Sequence, residues 1–381
     1  MKKHLMSPGP TPVPEDVLLT MAEPMVHHRT PDFIEKVGTV IEGLQYIFQT
    51  KNDVLIFSSS GTGAMEGAVA NVLNKDDKAL IIRNGKFAER WGEIAESFKA
   101  DPIYLDVEWG EVCKPEEVKN ILEKNPEIKA VYTQLTETST GVVMPVKELG
   151  EIIKDTNTIL VIDAISGLAG QEFYMDEWNV DICVAGSQKG LMLPPGHAYA
   201  AVSEKAWKVI ENNEQPHYYF DWLTYKKKLI GTHKDPFTGS VIHVKALLKV
   251  IDRIKTEGIE NLFQRYKVLA EATRNAAKAI GLELFAKEAC DVETALRIPD
   301  SVDGKKVVKL LRDKYGFTIA GGQKHVKGKI IRIAHMGYIE AFDVISVIAA
   351  LELVLKELGW KFQTGSGVAA AQEVLSEKYK F

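Results

Sequence analysis

Short apolar runs alternate with stretches of helical periodicity along the first two thirds of the chain. The runs at 54–57, 79–83, 159–162 and 181–185 are four or five residues long and end at Gly or polar residues. Runs of this kind suit buried strands of a parallel sheet. Apolar residues spaced three or four positions apart over 32–50 predict a helix instead. The alternation of the two patterns predicts a doubly wound α/β fold.

The pattern changes near Gly258. Helical periodicity over 242–256 predicts a long helix that Gly258 ends. Residues after it form the shorter strands and helices of a smaller α+β domain. The chain has 381 residues, more than the roughly 250–300 at which single cores stop growing. We therefore expect a large domain at 18–257 and a small domain at 258–381.

The N-terminal stretch has its own pattern. Proline occupies alternate positions from Pro8 to Pro14, which blocks a regular helix and favours an extended arm over 1–17. A disordered tail is the alternative. At the other end, residues 361–381 could form one amphipathic helix, docked on the small domain or on a neighbouring subunit.

Composition and charge exclude several classes of protein. The net charge of −5 and the lack of a long basic run argue against nucleic acid binding. Cys113, Cys183 and Cys290 lie far apart without a CxxC pair, so neither a disulfide framework nor a zinc site is expected. Adjacent His27 and His28 lack ligand spacing, and we expect no metal. No stretch has the length of a signal peptide or of a membrane span of ~20 residues, so we expect a cytoplasmic enzyme.

Two complementary side chains follow neighbouring predicted strands. Asp163 ends the run at 159–162, and Lys189 lies in the polar turn after the run at 181–185. Ligands of open α/β sheets sit at the carboxyl ends of strands, so both side chains should face one crevice. The amine could form a Schiff base with pyridoxal phosphate, and the carboxylate could pair with the protonated ring nitrogen. Taken singly, Asp163 could instead be a helix cap and Lys189 a solvated lysine.

Three further stretches carry candidate chemistry. The serine-rich turn at 58–63 lies between a predicted strand and a predicted helix, so it is either an anion site or simply a helix cap. Arg332 alternates with apolar residues, and it either bridges to a neighbouring acid or receives a ligand carboxylate. Residues 214–240 are irregular and aromatic, which points to a subunit interface.

An ordered set of segments identifies a family. SPGPTPVP, SSSGTGAMEGA, ETSTG, VIDAISGLAG, GSQKGLMLPPG, AGGQKH and IIRIAHMG follow one another between about Leu5 and about Trp360. Together they resemble the class V aminotransferases, most closely the alanine–glyoxylate and serine–pyruvate group. The resemblance implies the pyridoxal phosphate-dependent transferase fold type I. That fold has a large domain with a mostly parallel sheet and a smaller C-terminal α+β domain.

The resemblance also implies a site. Lys189 would carry pyridoxal phosphate, and Asp163 would pair with its ring nitrogen. Gly9 and Arg332 would lie on the substrate side, with Arg332 on the α-carboxylate. The implied cofactor-binding residues are Ser60, Gly61 and Thr62 at the phosphate, Phe87 and Ile165 on the two ring faces, Thr138 at the ring oxygen, Gln188 beside Lys189, and Thr238 at the phosphate of a partner subunit. Asp235 departs from the family, where some relatives have a phosphate-contacting Tyr, and a carboxylate would repel a phosphate.

The implied function is transamination. A homodimer with shared active sites would move an amino group from alanine or serine to glyoxylate or pyruvate by a ping-pong mechanism. Aspartate as donor remains open. A cysteine desulfurase is the alternative within the fold, but no flexible Gly/Ser loop surrounds Cys290. A non-catalytic subunit of a larger complex is the alternative from another class, and the Asp163–Lys189 pair argues against it.

Overall fold

Strands and helices alternate through the first two hundred residues, as the hydrophobic pattern predicts. The computed structural model describes residues 2–379. The strands are β1 His4–Leu5, β2 Asp53–Phe57, β3 Lys78–Arg83, β4 Asp101–Asp106, β5 Ala130–Gln134, β6 Thr136–Glu137, β7 Val142–Val143, β8 Ile159–Asp163, β9 Ile182–Gly186, β10 Ala198–Val202, β11 Glu283–Leu284, β12 Glu293–Arg297, β13 Phe317–Thr318, β14 Ala320–Gly321 and β15 Ile330–Ala334.

The helices pack on the sheets and on one another. They are α1 Glu15–Met21, α2 Pro31–Phe48, α3 Gly61–Val72, α4 Lys86–Ser97, α5 Pro115–Lys124, α6 Val146–Ile153, α7 Glu204–Ile210, α8 Trp222–Tyr225, α9 Val241–Glu257, α10 Ile259–Ala279, α11 Gly304–Tyr315, α12 Ala341–Glu357 and α13 Ser366–Lys378. No helix within residues 2–379 is long and apolar enough to cross a membrane.

A central sheet of seven strands holds the site. Its order within the described residues is β2-β10-β9-β8-β5-β3-β4. Every pairing is parallel except those of β10, which runs antiparallel to both β2 and β9. All residues of β5, β8, β9 and β10 are buried, as expected for strands covered on both faces. The predicted mostly parallel α/β sheet is confirmed.

A second sheet is formed by the C-terminal part. It has the antiparallel order β11-β12-β15-β14. The predicted helix over 242–256 is α9, and it ends at Gly258, whose φ of 84° is in the left-handed region that glycine tolerates. The domain boundary at 257/258 remains a prediction.

The N-terminal arm contacts the C-terminal part of the chain and the turn after β9. β1 pairs in parallel with β13 of the C-terminal part, and the backbone N–H of Thr11 donates to the carbonyl of Gln188 at 3.0 Å. The extended arm stops at Pro14 rather than at residue 17, because α1 begins at Glu15.

The prediction that residues 214–240 are irregular is wrong for 222–230, which are helical. Asp221 caps a short helix, since its carboxylate accepts from the backbone N–H groups of Leu223 and Thr224. The helix buries Trp222 and Tyr225 and continues as a π-helical turn over Lys226–Ile230. The apolar contacts of those two side chains outweigh the weak local helical signal.

The C-terminal helix α13 docks on its own chain. It packs on α10 and α12, which decides between the two predicted positions. The buried side chain of Glu352 in α12 accepts from the backbone N–H groups of Gly365 and Gly367 at 2.6 and 2.8 Å. A carboxylate at a helix N-terminus is stabilised by the free N–H groups and by the helix dipole.

Candidate active site

Asp163 and Lys189 face one cavity at the carboxyl edge of the central sheet. β8 and β9 are parallel neighbours, so the residues that follow them emerge on the same side. The cavity has a volume of about 310 Å³. Ten of the predicted site residues line it: Gly9, Ser60, Gly61, Thr62, Phe87, Thr138, Asp163, Ile165, Gln188 and Lys189. The tertiary structure thus brings together residues that lie up to 180 positions apart in the sequence, from Gly9 to Lys189.

The amine of Lys189 is buried and held by two oxygens. Nζ donates to the backbone carbonyl of Pro8 and, at 3.1 Å, to Oγ of Ser166. Burial lowers the pKa of Lys189 from 10.5 to about 8, while the nearby carboxyl groups of Glu293 and Asp163 act in the opposite direction. An amine with this pKa can lose its proton near neutral pH, as a general base must.

Gly9 lies directly against this lysine. A Cβ on Gly9 would come within 2.3 Å of Cε and 2.6 Å of Nζ of Lys189, and its φ of +129° is unfavourable for other residues. Only glycine lets the arm pass so close. The hydroxyl of Thr11 then donates to the backbone carbonyl of Lys189 at 2.9 Å, which fixes the arm over the site.

The carboxylate of Asp163 is held by the turn that follows its strand. Oδ1 accepts from the backbone N–H of Ile165 at 2.7 Å. Burial raises the pKa of Asp163 to about 6, and the charges of Arg90 and Lys189 oppose the rise. The group remains mostly ionised at neutral pH and can pair with a protonated ring nitrogen.

The serine-rich turn forms the N-terminus of α3. Helix α3 begins at Gly61, so the first N–H groups of the helix point toward the cavity that Gly61 and Thr62 line. Arg90 donates to Oγ1 of Thr62 at 3.1 Å, and its guanidinium lies 5.1 Å from the ring centroid of Phe87. Arg90 therefore connects the predicted phosphate turn to the predicted stacking ring.

The turn after β5 is fastened to helix α4 by a buried carboxylate. Glu137 accepts from the backbone N–H of Ala88 at 2.8 Å and from the backbone N–H and hydroxyl of Ser139 at 2.9 and 2.6 Å. Burial raises the pKa of Glu137, although these hydrogen bonds oppose the rise. Phe87, at the start of α4, and Thr138 are thereby held in one rigid unit.

Arg332 reaches this unit from the C-terminal sheet. Nη1 donates to the backbone carbonyl of Thr138 at 2.5 Å, and Nη2 and Nε donate to the carbonyl of Gly321 at 2.9 and 3.2 Å. Within the described residues it forms no ion pair with an acid. A guanidinium has five N–H donors, so one on each terminal nitrogen is left for a carboxylate. These donors are available to a ligand carboxylate, and the role of Arg332 remains a prediction.

Thr238 lies outside the Lys189 cavity. It lines a smaller cavity with Ser58, Tyr225 and Asp235. The loop is still tied to the serine-rich turn, because the backbone N–H of Ser240 donates to Oγ of Ser58 at 3.1 Å. Burial raises the pKa of Asp235 to about 6, so this carboxyl can carry a proton in mildly acidic solution.

Sequence reasoning missed several residues of the site. Ser166 stands in the same segment as Asp163, and Arg90 lies one helical turn after Phe87, so spacing could have found both. Pro8 acts through its backbone carbonyl, for which no side-chain signal exists. Glu293 could have been found as an acid in an apolar strand, by the argument that found Arg332.

Glu293 is a buried acid without a partner. Its side chain is fully buried, and both carboxyl oxygens have no hydrogen-bond partner within residues 2–379. It lies on the same face of β12 as Ala295, which pairs with Arg332. Burial raises the pKa of Glu293 from 4.5 to about 8, although Arg332 and Lys189 attract its charge.

These residues fit pyridoxal phosphate. The site offers a buried amine for an aldehyde, a buried carboxylate for a ring nitrogen, and a helix N-terminus for a phosphate. Oε1 of Gln188 is buried without a partner among the described residues, which leaves a polar atom beside the lysine for a ligand. No group of three or more His, Cys, Asp or Glu within residues 2–379 could hold a metal ion.

Comparison with known proteins gives one family. A family model described as aminotransferase class V matches residues 4–347. An uncharacterised aminotransferase of Methanocaldococcus jannaschii is 44% identical over 378 residues, 98% of each chain. The small subunit of a soluble hydrogenase from a Synechococcus species is 37% identical, covering 98% of this chain and 99% of its own. A serine–glyoxylate aminotransferase of Methylorubrum extorquens is 36% identical, with 99% and 96% covered.

A solved structure agrees with these relatives. The ureidoglycine–glyoxylate aminotransferase of Bacillus subtilis superposes with a TM-score of 0.94 at 31% identity, covering 99% of this chain and 98% of its own. The likeness extends over both sheets, because nearly the whole chain is matched.

Glu293 should make the stability of the cofactor-free protein depend on pH. The folded chain keeps this proton to about pH 8, whereas the unfolded chain loses it near 4.5. Between those values the folded state binds more protons, so this group lowers the free energy of unfolding as pH rises. Glu293→Gln cannot ionise and removes that decline. We expect the variant to gain stability relative to wild type from about pH 5 to about pH 8, measured by urea unfolding.

The matched control is Glu123→Gln, because Glu123 is exposed. Its difference from wild type should not change over the same range. A difference between Glu293→Gln and wild type that stays constant from about pH 5 to about pH 8 would contradict the assignment.

Proposed function

Because the chain belongs to the class V aminotransferase family, we propose that it moves an amino group from alanine or serine to glyoxylate or pyruvate in a ping-pong cycle. The family match confirms the predicted enzyme class, the fold type and the dependence on pyridoxal phosphate. One observation carries the proposal: Lys189, Asp163 and the N-terminus of α3 line one cavity, and Arg332 contacts its wall through Thr138.

The cofactor and the protein divide the chemistry. When bound, pyridoxal phosphate would supply an aldehyde for the substrate amine and a ring that withdraws electrons from the substrate α-carbon. Lys189 would hold the cofactor, and its Nζ would take the substrate α-proton and later give it back. Its pKa of about 8 suits both transfers. Asp163 keeps the ring nitrogen protonated, and Arg332 orients the substrate through the α-carboxylate.

The serine donor is supported by the Methylorubrum relative, and glyoxylate as acceptor by that relative and by the Bacillus structure. The hydrogenase subunit supports a second candidate, a subunit of a larger complex. Lys189 and Asp163 line one cavity and Arg332 contacts its wall, an arrangement that a purely structural subunit does not need.

Capture of the cofactor tests the enzyme function. Borohydride reduction of the yellow protein and peptide mapping should place one pyridoxyl group on Lys189, and Lys189→Ala should take up none. Each candidate amino acid is then added to the unreduced protein, and the loss of yellow colour is followed. We expect alanine or serine to bleach it fastest. A label on another lysine would refute the assignment, and a protein that no amino acid bleaches would favour the structural subunit.

Arg332→Lys should weaken binding of every amino and oxo acid. A lysine cannot present two parallel N–H donors to a carboxylate, and the loss of a charge-assisted contact costs roughly 1.5–3 kcal/mol, about ten- to a hundredfold in KM. The cofactor spectrum should not change. Arg297→Lys is the control, because Arg297 is an exposed arginine of the same sheet. A lowered melting temperature with native KM values would show a structural arginine instead.

Thr238 is proposed to serve the phosphate site of a partner subunit in a homodimer. It does not line the Lys189 cavity of its own chain. Tyr218 and Leu223 nearby expose 82% and 39% of their surface, which suits an interface.

A mixed dimer tests this arrangement. One chain carries Lys189→Ala and the other carries Thr238→Ala. If the sites are shared, one site holds both lesions and the other holds none, so about half of the activity should remain. If each chain serves its own site, both are damaged. The mixed dimer would then have about half of the activity of the Thr238→Ala homodimer, well below half of the wild-type activity.

A further inference from the structure

Ser166 lies between the amine of Lys189 and the hydroxyl of Thr138. Its Oγ accepts from Nζ of Lys189 at 3.1 Å and lies 2.5 Å from Oγ1 of Thr138. Ser166 and Thr138 expose only 5% and 4% of their surface. The turn that carries Ser166 is fixed by the hydrogen bond from Ile165 N–H to Asp163. The contact is therefore built into the strand end that also supplies the ring carboxylate.

The two acceptors around Nζ set the direction of its lone pair. A neutral primary amine has two N–H bonds and one lone pair in a tetrahedral arrangement. The carbonyl of Pro8 and the hydroxyl of Ser166 take one N–H each. The remaining position is left for the cavity that Lys189 lines. In the protonated amine the third N–H takes that position, so a proton enters and leaves Nζ along one direction.

Ser166 also connects the amine to a second hydroxyl group. Oγ of Ser166 accepts from the lysine and has one hydrogen of its own, which it can donate to Oγ1 of Thr138. With Ser166 as the donor, the hydroxyl of Thr138 keeps its hydrogen for an acceptor in the cavity, such as the ring oxygen. Without Ser166, the amine keeps only the Pro8 carbonyl as an acceptor, and the hydroxyl of Thr138 loses this partner.

We propose that Ser166 is a positioning residue that orients Nζ of Lys189 for proton transfer and fixes the hydrogen-bond direction of Thr138. The role in transfer rests on the proposed function, whereas the orientation of the amine does not. The alternative is that the hydroxyl only fills the turn after β8. In that case its removal would change stability and leave the lysine chemistry unaltered.

The first test measures the lysine in the cofactor-free chain. Competitive acetylation over a range of pH, followed by mass spectrometry of the Lys189 peptide, gives the midpoint at which the amine becomes reactive. The charged groups that act on it are Glu293, Asp163, Glu137 and Arg332, all of which the variant retains. Ser166→Ala removes an acceptor that stabilises the ammonium, so the midpoint should fall by about one pH unit. Ser166→Thr, which keeps a hydroxyl, should restore it.

The second test uses the loaded enzyme. Ser166→Ala should lower kcat about ten- to a hundredfold with KM within about twofold, and it should enlarge the isotope effect of an α-deuterated donor. Thr133→Val is the control, because Thr133 lies on β5 beside the site but does not line the cavity, and its buried hydroxyl has no hydrogen-bond partner among residues 2–379. This control should change neither the midpoint nor the isotope effect.

The outcomes distinguish a positioning role of Ser166 from a hydroxyl that only fills the turn after β8. A wild-type midpoint and isotope effect in Ser166→Ala would overturn the proposal, as would equal changes in Thr133→Val. If Ser166→Ala does not fold, Ser166→Cys gives the same test with a weaker acceptor. Failure of the proposed function would be seen separately, as a protein whose Lys189 takes up no pyridoxyl group. The acetylation midpoint would still report whether Ser166 holds the amine.

Discussion

The burial of one amine at the end of β9 constrains the rest of the site. A charge taken out of water is unfavourable unless charged or polar groups compensate it. Around Lys189 the carboxyl groups of Glu293, Asp163 and Glu137 raise the pKa of the amine to the extent that they are ionised, and Arg332 lowers it. Burial still has the larger effect, and the pKa of the lysine falls to about 8. The site therefore holds an amine whose proton can move near neutral pH.

That constraint explains why distant parts of the chain meet here. The arm must come close enough for the Pro8 carbonyl to reach Nζ, and Gly9 is what allows the approach. The C-terminal sheet must come close enough for Arg332 to reach the Thr138 carbonyl. β1 pairs with β13 of that same part of the chain, so the arm and the arginine are held relative to each other. The Lys189 cavity and Arg332 form one connected structure.

The sequence predicted the main elements because their signals are local. The apolar run before Asp163 became β8, the run before Lys189 became β9, and the periodic stretch ending at Gly258 became α9. The ordered motifs then named the family, which the comparisons confirmed. Local signals failed at Trp222, where burial of the indole against the core stabilises a helical turn that the sequence pattern does not show.

Local sequence patterns are enough to locate the strand ends, and with them the position of Asp163 and Lys189 on one edge of a parallel sheet. What surrounds the two side chains follows from the packing of the whole chain. The Pro8 carbonyl, the Ser166 hydroxyl and the Glu293 carboxyl approach Lys189 from stretches far apart along the chain. Their approach depends on how two sheets and an arm pack. Periodicity reports which face of an element is buried, whereas distances between elements follow from packing, which has no local signature.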